Sequence, residues 1–222
     1  MGLVVNQRVI SNSSHHHSCH WGKISRDRLR YVKKYAADPV LDVGCATGDY
    51  VCWLNQHGYR ARGVDMRQYR EWEQYPYFDM GALPKLHYAS YFDTVLCFEV
   101  IEHVEEKAAA LAELRRLTGR TLILSVPNCE RLDVYDAAGL VPSHWLDRTH
   151  VNFFTRETLL EALYAANYTN VVVNYANQIK FETLLLACYR FPLALARAAG
   201  YAARFIPFRR QLYMSLIAVA EV

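Results

Sequence analysis

Apolar and polar positions along the chain follow two different periods, and the switches between them mark the elements. Residues 40–43, 60–64, 94–98, 121–126 and 171–173 are short β-like runs, most of them nearly continuous in apolar residues, and they predict strands. Residues 50–57, 105–117 and 156–166 place apolar side chains three and four apart and predict helices. Thr155 stands at an N-cap position before Arg156, Glu157 and a Leu159, Leu160, Leu163 face, so its hydroxyl is suited to satisfy a free first-turn N–H. An earlier helix is predicted over residues 21–35, with Ile24, Leu29, Val32 and Tyr35 on its apolar side, and it stops near Asp38-Pro39. Strands alternating with helices imply a mostly parallel, doubly wound sheet with helices on both faces, an α/β fold.

Composition narrows the class without naming a function. The 222 residues are 52% hydrophobic and 21% charged, which excludes a disordered chain. Six cysteines lie scattered without a C-x-x-C pair, and no secretory signal precedes them, so a reducing, cytoplasmic setting is expected. Residues 162–179 lack Asp, Glu, Lys and Arg but are rich in Asn, so no transmembrane helix is predicted. Residues 1–20, polar and ending in His15, His16, His17, Cys19 and His20, read as a flexible N-terminal arm ahead of a domain over residues 21–222.

The first predicted strand runs straight into Gly44-Cys45-Ala46-Thr47-Gly48-Asp49 and then a helix. In a doubly wound sheet this is the ligand-binding turn, where glycines let the backbone bend tightly and the helix start offers free N–H groups. The dinucleotide fingerprint is incomplete, because Asp49 occupies the place of its third glycine and would repel a pyrophosphate. Asp42 adds a carboxylate before the turn, and Asp65 closes the second strand where an acidic residue accepts hydrogen bonds from ribose hydroxyls. A nucleoside without phosphates satisfies all of these features.

These strings together, VLDVGCATG at 40–48, GVDMR at 63–67, FDTVLCFEVIEHVE at 92–105 and LILSVPN at 122–128, resemble class I S-adenosylmethionine-dependent methyltransferases in order and spacing. The resemblance implies a Rossmann-like seven-stranded sheet whose last strand, near 211–221, is antiparallel. By the same resemblance, the turn of Gly44, Cys45, Ala46 and Gly48 would pack against the methionine moiety of S-adenosylmethionine, with Asp42 nearby. Asp65 would hold the ribose and Met66 would lie against adenine. Asp79 and Met80 would meet the adenine amino group and ring edge, and Phe98 would lie beside the methionine portion. Ala46 departs from the Gly or Ser that many members carry.

Glu99, Glu102 and His103 are spaced i, i+3 and i+4, which on a helix would put them on one face. With the later His150 they form a set able to hold a divalent ion that orients hydroxyls and lowers their pKa. The pattern resembles the metal site of small-RNA 3′-terminal 2′-O-methyltransferases, and its first part that of ubiquinone-pathway O-methyltransferases. The same strings also occur in methyltransferases that need no metal. There Glu102 and His103 would cap the next helix and bond the His150 loop, leaving His103 or His150 as the general-base candidate.

Residues 129–150, with Tyr135, His144, Trp145 and Asp147, read as a lid or substrate loop. Residues 181–210 read as a helical insertion in which Arg190, Arg197 and Arg204 recur every seven residues in an apolar background. Two helices broken at Pro192 and packed into the core, or an interfacial surface against anionic lipid, both fit that pattern. The formal net charge of +3 divides unevenly: residues 23–34 carry +5 and residues 181–210 carry +4, leaving −6 for the remainder, which holds the cofactor motifs. The resulting expectation is methyl transfer to an oxygen or nitrogen of a small or lipid-like acceptor. Metal-assisted RNA-end methylation and a non-catalytic S-adenosylmethionine-binding scaffold stand as alternatives.

Overall fold

The apolar runs pair into one sheet in a computed structural model that describes residues 24–130, 141, 143–179, 192–203 and 212–222. Its strands are β1 (Val40–Val43), β2 (Ala61–Asp65), β3 (Phe78–Met80), β4 (Phe92–Phe98), β5 (Thr118–Pro127), β6 (Thr169–Gln178) and β7 (Tyr213–Glu221), in the order β3-β2-β1-β4-β5-β7-β6. β1 pairs in parallel with β2 and β4, while β7 runs antiparallel to both β5 and β6. That is the doubly wound sheet with an antiparallel last strand expected from the sequence. β3 had no periodic signal, since it is three residues long with Asp79 at its centre.

The described helices are α1 (Arg26–Tyr35), α2 (Asp49–Gln56), α3 (Lys107–Leu117), the single turn α4 (Ser143–Leu146), α5 (Arg156–Ala165) and α6 (Leu193–Ala203). Successive strand residues point to opposite faces, so each strand feeds two cores. On one face Leu41, Val95, Leu122 and Leu124 meet Leu111 and Leu114 of α3 and Leu159 and Leu163 of α5. On the other Val40, Leu96, Ile123 and Ile217 meet Val32 of α1 and Val51 and Leu54 of α2. Burial on both faces explains why these strands read as unbroken apolar runs. The Thr155 cap forms as expected: its side chain accepts from the Thr158 N–H, and the Thr158 hydroxyl accepts from the Thr155 N–H in return.

Because β1, β2, β4, β5 and β6 run the same way, the segments that follow them emerge at one edge of the sheet. The β6–β7 connection starts and ends at that edge, where the Ile179 N–H donates to the Leu212 carbonyl at 2.9 Å. The expected flexible arm at 1–20 lies outside the described residues, as do Tyr135, Arg190 and Arg204. Of the predicted helical insertion, α6 is described. It begins directly after Pro192 and is far more exposed than a core helix, with only Ala196 and Gly200 buried among its described side chains.

Candidate active site

The turn after β1 is shaped by glycines that no other residue replaces without strain. Gly44 has φ +76 and Gly48 φ +86, in the left-handed region that favours glycine. A Cβ on Gly44 would collide with Cγ2 of Val100, and one on Gly48 would collide with the Phe78 ring. Gly48 is also the N-cap of α2, which starts with no side-chain cap bond. Asp65 ties the turn to the end of β2: its Oδ2 accepts the Ala46 N–H at 2.9 Å and its Oδ1 accepts the Arg67 N–H at 3.0 Å. Behind the turn, the Trp72 indole N–H donates to the Ala46 carbonyl at 2.9 Å, and the Trp72 ring stacks on Phe78. Trp72 was not a sequence candidate, because it lies in a stretch where Tyr69, Tyr75, Tyr77 and Phe78 follow neither a helical nor a strand period.

Asp42 is buried on the face that α1 and α2 cover. Burial first, then the neighbouring Asp65 and Asp49, push its carboxyl up to about 7, against the pull of Arg28. Cys45 is buried against the Gly63 backbone, and burial pushes its thiol well above the ordinary range, so it is no nucleophile. Phe98 packs between Tyr50, at a ring separation of 5.0 Å, and the Arg28 guanidinium, 5.4 Å from its ring centre.

Met66 and Met80 follow or end neighbouring parallel strands, with Asp65 opposite Met80, and both are exposed, at 66% and 56%. Asp79 stands beside Met80 at the end of β3. It shares the face of Val64, and its carboxylate takes the Arg62 guanidinium at 2.8 Å and the Tyr88 hydroxyl at 2.7 Å. Those side chains, with Met80 and His87, line a cavity of about 440 Å³ whose wall includes none of Asp42, Gly44 or Asp65. An adenine amino group would compete there with two existing partners of Asp79.

The acidic-histidine cluster assembles in part, and not on a helix face. Glu99 has φ +55, and the residues after it form a 3-10 helix over Ile101–His103, so the i, i+3, i+4 alignment is broken at its first member. Glu99 turns instead to α1: its Oε1 meets Arg28 at 2.6 Å and accepts the Ser125 hydroxyl at 2.9 Å. Arg28 was not anticipated. Its signal was position, since it lies four residues before buried Val32 and therefore on the helix's inward face.

Glu102, His103 and His150 do come together, with one ligand atom from each inside a 4.8 Å span. The loop is tied down by the Val151 and Asn152 N–H groups, which donate to the Glu102 carbonyl, and by the Asn152 side-chain amide, which donates to the Ile101 and Val104 carbonyls. The expected bonding between Glu102, His103 and the His150 loop is therefore present. Capping of the next helix is not, because Glu106 occupies the N-cap of α3. The Thr149 hydroxyl donates to Asp147 at 2.6 Å, so its contact with His103 Nδ1 at 2.9 Å requires the proton to sit on Nδ1. His103 Nε2 is then the basic nitrogen, 3.9 Å from a Glu102 oxygen.

Burial, followed by the adjacent His150, holds the His103 imidazole below its ordinary pKa, so it is neutral near pH 7. Glu102 is 1% exposed, and neither of its oxygens has a hydrogen-bond partner among the described residues. Burial and then the Glu99 charge hold its carboxyl well above the carboxylate range. Such a group is neutralised by a proton or by a cation. A Glu, His, His donor set is chemically suited to a divalent transition metal.

Residues 17–173 match the family model described as a methyltransferase domain. Solved structures share the fold. A SAM-dependent methyltransferase from Archaeoglobus fulgidus aligns over 88% of this chain and 92% of its own, with TM-score 0.61 and 18% identity. The 1,6-didemethyltoxoflavin-N1-methyltransferase of Burkholderia thailandensis covers 88% of this chain and 76% of its own, with TM-score 0.55 and 17% identity. The magnesium protoporphyrin IX methyltransferase of Synechocystis covers 91% and 83%, with TM-score 0.54 and 20% identity. No curated protein matches the sequence. The glycine turn, the carboxylate that pins it, the order of the strands and a family match over most of the chain converge: the chain belongs to the class I S-adenosylmethionine-dependent methyltransferases.

Proposed function

We propose that the protein methylates an oxygen or nitrogen of a small or lipid-like acceptor, with His103 taking the acceptor's proton. The observation that carries this reading is the orientation of His103, whose Nδ1–H is held by Thr149 while Nε2 keeps its lone pair at the edge where the β4 and β5 loops meet. When bound, S-adenosylmethionine supplies a methyl group already activated by its sulfonium. What remains for the chain is to bind, align, exclude water and remove a proton.

The residues fit that cofactor. The turn of Gly44, Cys45, Ala46 and Gly48 would hold the amino-acid portion near Asp42 and Phe98, Asp65 the ribose, and Met66 with Met80 the apolar faces of the base. Asp79 contributes through its backbone position beside Met80, its carboxylate being engaged with Arg62 and Tyr88. The 1,6-didemethyltoxoflavin and magnesium protoporphyrin IX methyltransferases are named for small-molecule acceptors, and the stacked, exposed Trp145 and Phe153, which flank His150 in the chain, offer such an acceptor an apolar surface.

A second reading is metal-assisted methylation of an RNA end, favoured by the convergence of Glu102, His103 and His150 around unpartnered carboxylate oxygens. A cation there would replace the Glu102 proton and lower an acceptor hydroxyl's pKa. Incubation with methyl-labelled S-adenosylmethionine and fractionated cell extract separates the readings. Label in small-molecule or lipid fractions, unaffected by chelator, supports the first. Label in RNA that a chelator abolishes supports the second, and label in neither fraction contradicts both.

The state of Asp42 makes cofactor affinity depend on pH. Asp42 is raised to about 7, with Asp65, Asp49 and Arg28 as its charged neighbours and Tyr50 and Cys45 beside it. Its ionised form attracts a cationic ligand and its protonated form does not. S-adenosylmethionine affinity is therefore expected to rise as pH increases through about 7 and to fall below it, by up to roughly tenfold per pH unit. Calorimetry from pH 5.5 to 7.5 checks this, and Asp42→Asn is expected to flatten the profile. A wild-type profile already flat would remove Asp42 from the site.

A further inference from the structure

α1 carries a charge pattern that neither packing nor methyl transfer uses. Its sequence, RDRLRYVKKY, holds five basic side chains and one acidic one, Asp27. At about 3.6 residues per turn, Val32 and Arg28 share the inward side, and Arg26, Arg30, Lys33 and Lys34 fall together on the opposite face, where all four are exposed. Arg26, Arg30 and Lys34 follow one another four apart, a spacing at which like charges destabilise a helix. The helix dipole favours Lys33 and Lys34 in the last turn but opposes Arg26 in the first. The described ion pairs of this helix are Arg28 with Glu99 and Arg30 with Asp27, which leaves Arg26, Lys33 and Lys34 without a carboxylate partner among the described residues. Asp38, the next acid along the chain, is bound to Arg60.

The stripe has a direction. At its start, Asp27 accepts the Asn177 N–H from β6 and Arg28 meets Glu99 after β4, so this end lies at the edge of the sheet that holds the cofactor turn. At its finish, the Ala37 N–H donates to Thr94 near the start of β4, so that end lies at the opposite edge. There the Lys33 ammonium sits 5.3 Å from the Trp53 ring centre, and the exposed His57 stacks on the same indole. None of the large apolar side chains of α1 is exposed, so the face has nothing to insert into a bilayer. It also lacks the apolar anchors of a protein interface, whose centres are poor in lysine. A row of cations beside an aromatic ring is the footprint of a phosphate backbone with stacked bases.

We propose that the outward face of α1 binds a single-stranded nucleic acid, with Arg26, Arg30, Lys33 and Lys34 on its phosphates and one end of the strand directed to the methyl-transfer edge. Binding needs no turnover, so it stands or falls separately from the choice of methyl acceptor.

Fluorescence anisotropy of the full chain with a labelled oligouridylate of about 16 nucleotides tests this between about 50 and 200 mM salt. Four phosphate contacts at about 0.7 each predict a slope of log affinity against log salt near about −3. Arg30→Gln with Lys34→Gln is expected to halve that slope and to weaken binding roughly 60-fold at the low-salt end. Lys85→Gln with Arg120→Gln removes the same net charge from exposed positions outside α1, and is expected to leave the slope unchanged. All four positions are exposed, so thermal melting of both variants should stay close to that of the wild type. No binding by the wild type, or equal weakening by both variants, would overturn the proposal. So would tighter binding of polyglutamate, or of phosphatidylglycerol vesicles, than of the oligonucleotide, since the face would then serve an acidic protein or a membrane.

Discussion

Replacing His103 with asparagine lowers kcat by about 10²- to 10⁴-fold and leaves the dissociation constant for S-adenosylmethionine within about twofold, the range expected for loss of a general base. The asparagine amide keeps a donor for the Thr149 oxygens that now fix Nδ1. It cannot accept a proton where Nε2 stands. The loss therefore isolates proton removal from loop placement, which the backbone bonds of Val151 and Asn152 to Glu102 maintain. Glu102→Gln separates the base from the metal reading. If the buried carboxyl is protonated, its amide isostere costs only a few-fold in kcat. If the carboxylate holds a cation, the same change removes that cation and the activity with it.

Gly44→Val is expected to abolish detectable cofactor binding. At φ +76 a β-branched residue is strained by about 1–3 kcal/mol, and its Cβ would occupy the position of a Val100 methyl. The turn has to move, and with it the Ala46 N–H that Asp65 holds. Because such a variant can also lose stability, Asp65→Ala provides the companion test. It adds no bulk and leaves both glycines in place but removes a charged acceptor together with its bonds to the Ala46 and Arg67 N–H groups, so a loss of roughly 10²-fold in affinity is expected with a melting temperature lowered less than in Gly44→Val. Unchanged affinity in Asp65→Ala would show that the carboxylate serves the turn alone and not the ligand.

The architecture was largely legible in the sequence because burial on both faces leaves a plain trace. β1 was read to the residue, and β4 and β5 were read within a few residues of their ends. β3 was not, since three residues offer no period to detect. Within the site, the glycines and Asp65 were visible because a left-handed turn and a strand-end carboxylate demand those residue types at those places. The mutual approach of His103 and His150 was legible only as a motif. The cause of that approach, Asn152 bridging the Ile101 carbonyl of the 3-10 helix and the Val104 carbonyl just after it, is a tertiary contact with no local pattern. The helical alignment of Glu99 with Glu102 failed for a related reason: spacing implies a shared face only if the backbone is helical at every member, and Glu99 is in the left-handed region. Arg28 completes the contrast, because its partner is 71 positions away in the chain and only the fold brings them within 2.6 Å.

Calorimetric titration with S-adenosylmethionine tests the central claim most directly, because the glycine turn, Asp42, Asp65 and the two methionines are all read as parts of one cofactor site. The expected result is saturable binding at one site per chain near pH 7.5, lost in Gly44→Val and weakened in Asp65→Ala. No saturable binding by the folded wild-type protein would contradict the assignment of that edge of the sheet to methyl transfer.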